Sequence, residues 1–193
     1  MDIKKYIRDS VKTKEAILND EKILSAISKI ADEIVKAYKK DKKVLTAGNG
    51  GSAGDAQHIA GELVSRFFFD RPGLAAYSLT TDTSVLTSIA NDYGYEFSIS
   101  RQIQANAKEG DVFIGISTSG NSKNIVYALR EAKKKKVITV GLAGEKECEM
   151  DKYCDYIVHV PSVSTPIIQE SHIMIGHIIC ALTEEIIFGR SKK

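Results

Sequence analysis

Twice along this chain a short apolar run stops at a loop rich in glycine and hydroxyl side chains, and a helix-period pattern starts directly after it. The first run is Val44-Leu45-Thr46-Ala47, followed by Gly48-Asn49-Gly50-Gly51-Ser52. The second is Val112-Phe113-Ile114-Gly115-Ile116, followed by Ser117-Thr118-Ser119-Gly120-Asn121-Ser122. Short apolar strands that alternate with helices form a parallel sheet covered by helices on both faces. In such sheets ligands bind beyond the carboxyl ends of the strands, where the winding reverses, and both loops lie at those ends.

The rest of the pattern completes the sheet. Apolar runs at 74–79, 137–142 and 156–160 bring the strands to five. Helical periodicity covers 53–67, 83–90, 97–107, the segment from 122 to about 135, and 166–188, where Pro166 sits as a first-turn proline. Before the first strand, Ile23, Leu24, Ile27, Ile30, Ala31, Ile34, Val35 and Tyr38 form one apolar stripe at spacings of three and four, after a weaker stripe through Ile3, Tyr6, Ile7 and Val11. These two helices have no strand of their own to cover, so they pack on the domain or on another subunit. The expected architecture is α/β: a three-layer, flavodoxin-like sandwich around a five-stranded parallel sheet, with a helical arm at residues 1–40 and the core at 41–193.

Composition excludes several classes. At 193 residues and 43% apolar, the chain builds one sizeable core. A net charge of +2 argues against non-specific nucleic-acid binding, and the basic runs at 39–43 and 133–136 read as solvated helix ends. No signal-peptide core follows the first residues, and no apolar run is expected to span a membrane. Cys148, Cys154 and Cys180 form no C-x-x-C pair, which suits a reduced, cytoplasmic protein in which they serve as packing residues.

The Ser/Thr loop offers four hydroxyls and a run of free N–H groups at a helix N-terminus, a ready phosphate cradle. The plainer reading is an N-cap with ordinary turn chemistry, which accounts for one serine but poorly for four hydroxyls in six residues. No Lys-Ser/Thr pair follows a glycine there, so it is not a nucleotide P-loop. The glycine loop matches G-x-G-x-x-A, yet the second strand carries no acid at its end and Asp82 comes too late, so no nucleotide cofactor is expected. Its glycines instead let the backbone approach a sugar, with Asn49 and Ser52 as polar contacts.

His58 and Glu62 share a helix face at a spacing of four. Gln169 and His177 are eight apart on the last helix and can face one side. A lone histidine on an apolar helix is more often a core residue, and His172 falls under the same reading. Spacing alone does not bring the two helices together, so acid/base and metal chemistry both stay open at this level.

Together these residues resemble one family. Ala47-Gly48-Asn49-Gly50-Gly51-Ser52-Ala53, Asp55-Ala56-Gln57-His58 with Glu62, Ile89-Ala90-Asn91-Asp92-Tyr93-Gly94, Ser100-Arg101-Gln102, Gly110-Asp111-Val112, the stretch Gly115 to Ser122, and Gln169-Glu170 with His177 are similar to the phosphoheptose isomerases of the sugar isomerase (SIS) family. The resemblance implies a single SIS domain over 1–193. It also implies interconversion of sedoheptulose 7-phosphate and D-glycero-D-manno-heptose 7-phosphate, for bacterial lipopolysaccharide or capsule heptose. By the same resemblance Ser117, Thr118, Ser119 and Ser122 hold the phosphate. Asn49, Gly50, Gly51, Ser52, Glu62, Asn91, Asp92 and Gln169 contact the sugar, and Glu62 and His177 transfer the proton. His58, Glu62, Gln169 and His177 hold one zinc per subunit, and the assembly is a homotetramer with sites at subunit contacts. Relatives often carry an Arg two positions before the Gln, where this chain has Ile167 after Pro166. The competing readings are an adaptor that binds the replication initiator protein and a sugar-phosphate sensor; the latter would normally carry an attached DNA-binding segment.

Overall fold

A computed structural model describes residues 2–189. Five parallel strands, β1 (Val44–Ala47), β2 (Ala76–Ser78), β3 (Val112–Ile116), β4 (Ile138–Gly144) and β5 (Tyr156–Val160), form one sheet in the order β2-β1-β3-β4-β5. This is the doubly wound order whose winding reverses between β1 and β3. Their register pairs Ala47 with Gly115, so the two loops leave neighbouring strands side by side.

Among the described residues there are seven α-helices: α1 (Ile3–Leu18), α2 (Glu21–Tyr38), α3 (Gly51–Val64), α4 (Thr83–Tyr93), α5 (Ser100–Asn106), α6 (Lys123–Lys134) and α7 (Thr165–Phe188). Strand side chains alternate between two cores. Val112, Ile114 and Ile116 point toward α2, α3 and α7, where Ile30, Ile34, Ile59, Leu63, Ile175 and Ile179 meet them. Phe113 points the other way, into Ile99, Ile103, Ile125 and Leu129 of the α5–α6 layer. A Cβ at Gly115 would lie 2.8 Å from Ile125 Cγ2, so this glycine sets how closely α6 approaches β3. Each fully buried Ile or Phe contributes roughly 1.5–3 kcal/mol from burial.

Asp2, Asp20 and Asp82 start α1, α2 and α4 by accepting N–H groups of the first turn. The apolar stripe of α2 is consumed in the sheet-covering layer, whereas α1 leaves Ile3, Ile7, Val11 and Leu18 exposed. Lys14 Nζ, 2.6 Å from Glu170 Oε1, ties α1 to α7.

Two expectations change. The helix after the glycine loop ends at Val64, and Ser65 to Gly73 form an irregular segment instead of a further turn. The cause is Glu184, whose carboxylate accepts the N–H groups of Phe67, Phe68 and Phe69 at 2.7, 2.9 and 3.1 Å. Secondly, α7 is 24 residues long, with a mean hydropathy of 1.4 in its most apolar window, so by length and composition it does reach the size of a membrane span. It packs instead against α2, α3 and the sheet, and buries His172 and Glu184 there, which makes it the core helix of this layer.

Candidate active site

The glycine loop turns on Gly50, whose φ of +53° is strained for any residue with a Cβ. That turn starts α3, buries Ser52, and frees the Asn49 side chain. Asn49 and Asn124 form a reciprocal amide pair, Nδ2 to Oδ1 at 2.9 and 2.8 Å, and Tyr95 donates its hydroxyl to Asn49 Oδ1 at 2.8 Å. Asn124 is buried in the first turn of α6. The pair therefore clips the glycine loop to the helix that begins at the Ser/Thr loop. Sequence reasoning missed Asn124 and Tyr95; the only signal for Asn124 was its position two residues after that loop.

In the Ser/Thr loop, Ser122 has the backbone of an N-cap, yet its hydroxyl makes no capping bond. It lies 2.9 Å from Ser117 Oγ, which is also 3.4 Å from Ser119 Oγ. Ser119 Oγ accepts the Asn121 N–H at 3.2 Å. Three hydroxyls thus converge on one point at the end of β3, which a plain cap does not require. Thr118 and Ser119 also line a cleft of about 290 Å³ with Lys146, Ser162, Thr165 and Ile168.

The last group joins α3 to α7. These helices run side by side because Gly176 faces Ile59; a Cβ there would sit 2.7 Å from Ile59 Cδ1. One residue on, His177 Nε2 is 3.4 Å from His58 Nε2, with the rings edge to face at 4.9 Å, and His58 Nε2 is 3.0 Å from Glu62 Oε1. The ligand atoms of His58, Glu62 and His177 lie within 4.8 Å of one another. Tetrahedral zinc with N ligands at about 2.0–2.1 Å places two such atoms roughly 3.3–3.4 Å apart, so the two imidazoles fit that ion. Gln169 sits two turns earlier on α7, with its amide against Gly51 at the start of α3.

Phe67 packs on the His177 ring at 5.6 Å. Arg71, buried against Glu184 at 3.4 Å, donates to the Glu62 and Leu63 carbonyls at 2.8 and 2.7 Å. Burial works against ionisation of Glu184, but three backbone N–H groups and Arg71 hold its carboxyl below the usual range. Glu184 and Arg71 fix the loop beside Glu62 and His177, and nothing in their sequence spacing announced it. Asp55, one turn before His58, has a buried Oδ2 without a partner, and burial pushes its carboxyl up to about 6.

Asn91 donates to Asp92 Oδ1 at 3.0 Å on α4, a helix with no buried residue, and both are exposed. Ile167 is buried in the core of α7 and Pro166 is exposed, so neither repeats the chemistry of an arginine. Cys180 is buried in the core and Cys148 and Cys154 pack against the α5–α6 core, while the Cys148 sulfur also lies near the donor atoms of Asp151 and His159.

Comparison with known proteins follows the same lines. Residues 5–144 match the SIS domain family, and the chain belongs to it. Within that family it belongs with the phosphoheptose isomerases. It is 61% identical over 96% of its length to the phosphoheptose isomerase of Aneurinibacillus thermoaerophilus, covering 94% of that protein. It is 59% identical over 97% of its length to phosphoheptose isomerase 2 of Campylobacter jejuni, again covering 94%. The structure of a phosphoheptose isomerase from Francisella tularensis superposes with a TM-score of 0.91 at 32% identity, covering 95% of this chain and 96% of that one.

Proposed function

We propose that the chain is an aldose–ketose isomerase acting on sedoheptulose 7-phosphate and D-glycero-D-manno-heptose 7-phosphate, in a single SIS domain over residues 1–193. The observation that carries this is the pairing of two features at one edge of the sheet. Convergent hydroxyls of Ser117, Ser119 and Ser122 lie at the end of β3, and a carboxylate and an imidazole, Glu62 and His58, lie on the helix that starts at the end of β1, with the His177 imidazole facing them from α7. The first feature suits a phosphate and the second suits proton transfer.

The reaction moves one proton between C1 and C2 through an enediol. Starting from the aldose, Glu62 takes the proton from C2 while O1 gains one from His177. Proton return to C1 and loss from O2 then give the ketose. Thr118 and the loop N–H groups complete the phosphate cradle, and Asn49, Gly50, Gly51 and Ser52 line the sugar side. His58, Glu62 and His177, joined by Gln169, would hold zinc, one ion per subunit; when bound, it polarises the substrate oxygens at C1 and C2. Glu62 and His177 serve as proton carriers only while they are not tightly bound to that ion.

Exposed apolar residues on α1, the absence of a buried residue on α4, and Phe68 at 75% exposure support a homotetramer that places Asn91 and Asp92 at the sugar from a subunit contact. A cytoplasmic place in lipopolysaccharide or capsule heptose synthesis accords with this chemistry. The adaptor reading draws no support from the comparisons.

The test is turnover of sedoheptulose 7-phosphate in deuterated water. Expected are the aldose 7-phosphate as product and deuterium at C1 or C2. Unchanged substrate, or turnover without exchange at either carbon, would overturn the reading.

A further inference from the structure

A second group of donors lies behind the Ser/Thr loop. Cys148 starts a 3-10 turn at Glu149–Lys152, in which its sulfur accepts the Asp151 N–H while Asp151 Oδ2 accepts the Cys148 N–H at 2.7 Å. The other carboxylate oxygen, Oδ1, is 2.8 Å from His159 Nε2, and His159 Nδ1 is 2.7 Å from the Gly144 carbonyl oxygen. A carbonyl only accepts, so Nδ1 carries the ring hydrogen. In the neutral ring the Nε2 lone pair then points at a carboxylate oxygen. Two acceptors at that distance need a positive species between them, either a proton or a metal ion.

The thiol adds a third donor, which favours the ion. The Cys148 sulfur lies within 4.8 Å of both the Asp151 and His159 donor atoms. Once the thiol has released its proton to solvent, sulfur, imidazole and carboxylate together are a donor set for zinc-like ions. An Nδ1–H bonded to a backbone carbonyl is the outer contact that orients a ligating histidine. The His159 and Asp151 side chains are 30% and 33% exposed, so an ion can enter and keep a water as fourth ligand.

We propose that Cys148, Asp151 and His159 form a second cation site for a borderline-soft divalent ion such as Zn²⁺. The site stands independently of the His58 group. Its turn is bonded to the Ser/Thr loop: Met150 N–H donates to the Gly120 carbonyl at 3.2 Å and Glu149 N–H to Asn121 Oδ1 at 2.9 Å. Gly120, at φ +64°, lies directly over the Cys148 sulfur. A bound ion therefore stiffens the wall of the phosphate loop.

The test is Co²⁺ titration of the metal-free, full-length protein, followed through the near-ultraviolet thiolate-to-cobalt charge-transfer band. The His58 group contains no sulfur, so the band reports the second site alone. The expected result is a band in the wild type and in Cys154→Ser, lost in Cys148→Ser while the variant keeps its far-ultraviolet circular dichroism. His159→Ala should weaken Co²⁺ binding at least about tenfold. Absence of the band in the wild type, or a band that survives Cys148→Ser, overturns the proposal and leaves an imidazolium–carboxylate pair.

Discussion

Ser117→Ala separates the phosphate cradle from an ordinary helix cap. The Ser117 hydroxyl is buried, 2.9 Å from Ser122 Oγ and 3.4 Å from Ser119 Oγ. A phosphate seated at that convergence takes a charge-assisted bond from it, worth about 1.5–3 kcal/mol. At about 1.4 kcal/mol per decade this is a loss of roughly 10- to 150-fold in kcat/KM. The phosphate is remote from C1 and C2, so ground state and transition state lose the same contact and the loss falls on KM. Steady-state kinetics on sedoheptulose 7-phosphate measure it, with free sedoheptulose as the comparison. Ser122→Ala distinguishes the cap. A cap serine costs about 0.5–2 kcal/mol of stability when removed, whereas here its hydroxyl makes no capping bond and the effect should fall on KM. The reasoning is refuted if Ser117→Ala lowers activity on the free sugar by the same factor, or lowers kcat with KM unchanged.

Four further outcomes are expected. Glu62→Gln lowers kcat by about 10²–10⁴-fold with little change in KM, and loses solvent-deuterium exchange at C1 and C2; near-normal exchange would pass the role of base to His177. Glu184→Ala strands Arg71 and three backbone N–H groups, costing about 3–5 kcal/mol in urea unfolding; a loss below about 1 kcal/mol would show that the loop holds itself. Light scattering should find a tetramer, and charged substitutions at Ile7 and Val11 should weaken it; a folded, active monomer at micromolar concentration would rule out the assembly. Burial pushes His172 down to about 4, against a bond from its ring to the Ala143 carbonyl that favours the charged form, so the folded protein keeps it neutral. The unfolded chain takes up its proton near pH 6.5, so stability is full above that pH and falls by about 3 kcal/mol as pH drops to 4. His172→Phe should flatten that slope in thermal melts, and an unchanged slope would assign it to other groups.

The order of elements was legible because the strands are short and mostly apolar and most of the helices carry a stripe; those patterns report the two-faced burial of a parallel sheet directly. The boundary at Val64 was not, because Phe67 follows Leu63 at helical spacing and only Glu184, more than a hundred residues away, shows why the backbone leaves the helix there. Ser122 was legible as part of a loop, but its abandonment of the capping bond depends on where Ser117 stands just past β3.

The junction of His58 with His177 shows where reading by spacing stops and what could have extended it. Each histidine alone reads as a core residue, and helical spacing relates residues only within one helix. What joins them is the approach of α3 to α7, and that approach is written in Gly176. A glycine in the middle of a 24-residue helix costs about 1 kcal/mol relative to alanine, so its presence asks for a packing reason. The reason is Ile59, 2.7 Å from where a Cβ would stand. The glycine immediately precedes His177, and Ile59 immediately follows His58. The two imidazoles are therefore presented beside a point of close approach of the two helices. Gly176→Val should push the helices apart, lowering zinc affinity and kcat together while Ser117, Ser119 and Ser122, on the far loop, keep the phosphate contribution to KM. Loss of phosphate binding in that variant would show instead that the two halves of the site are held as one body.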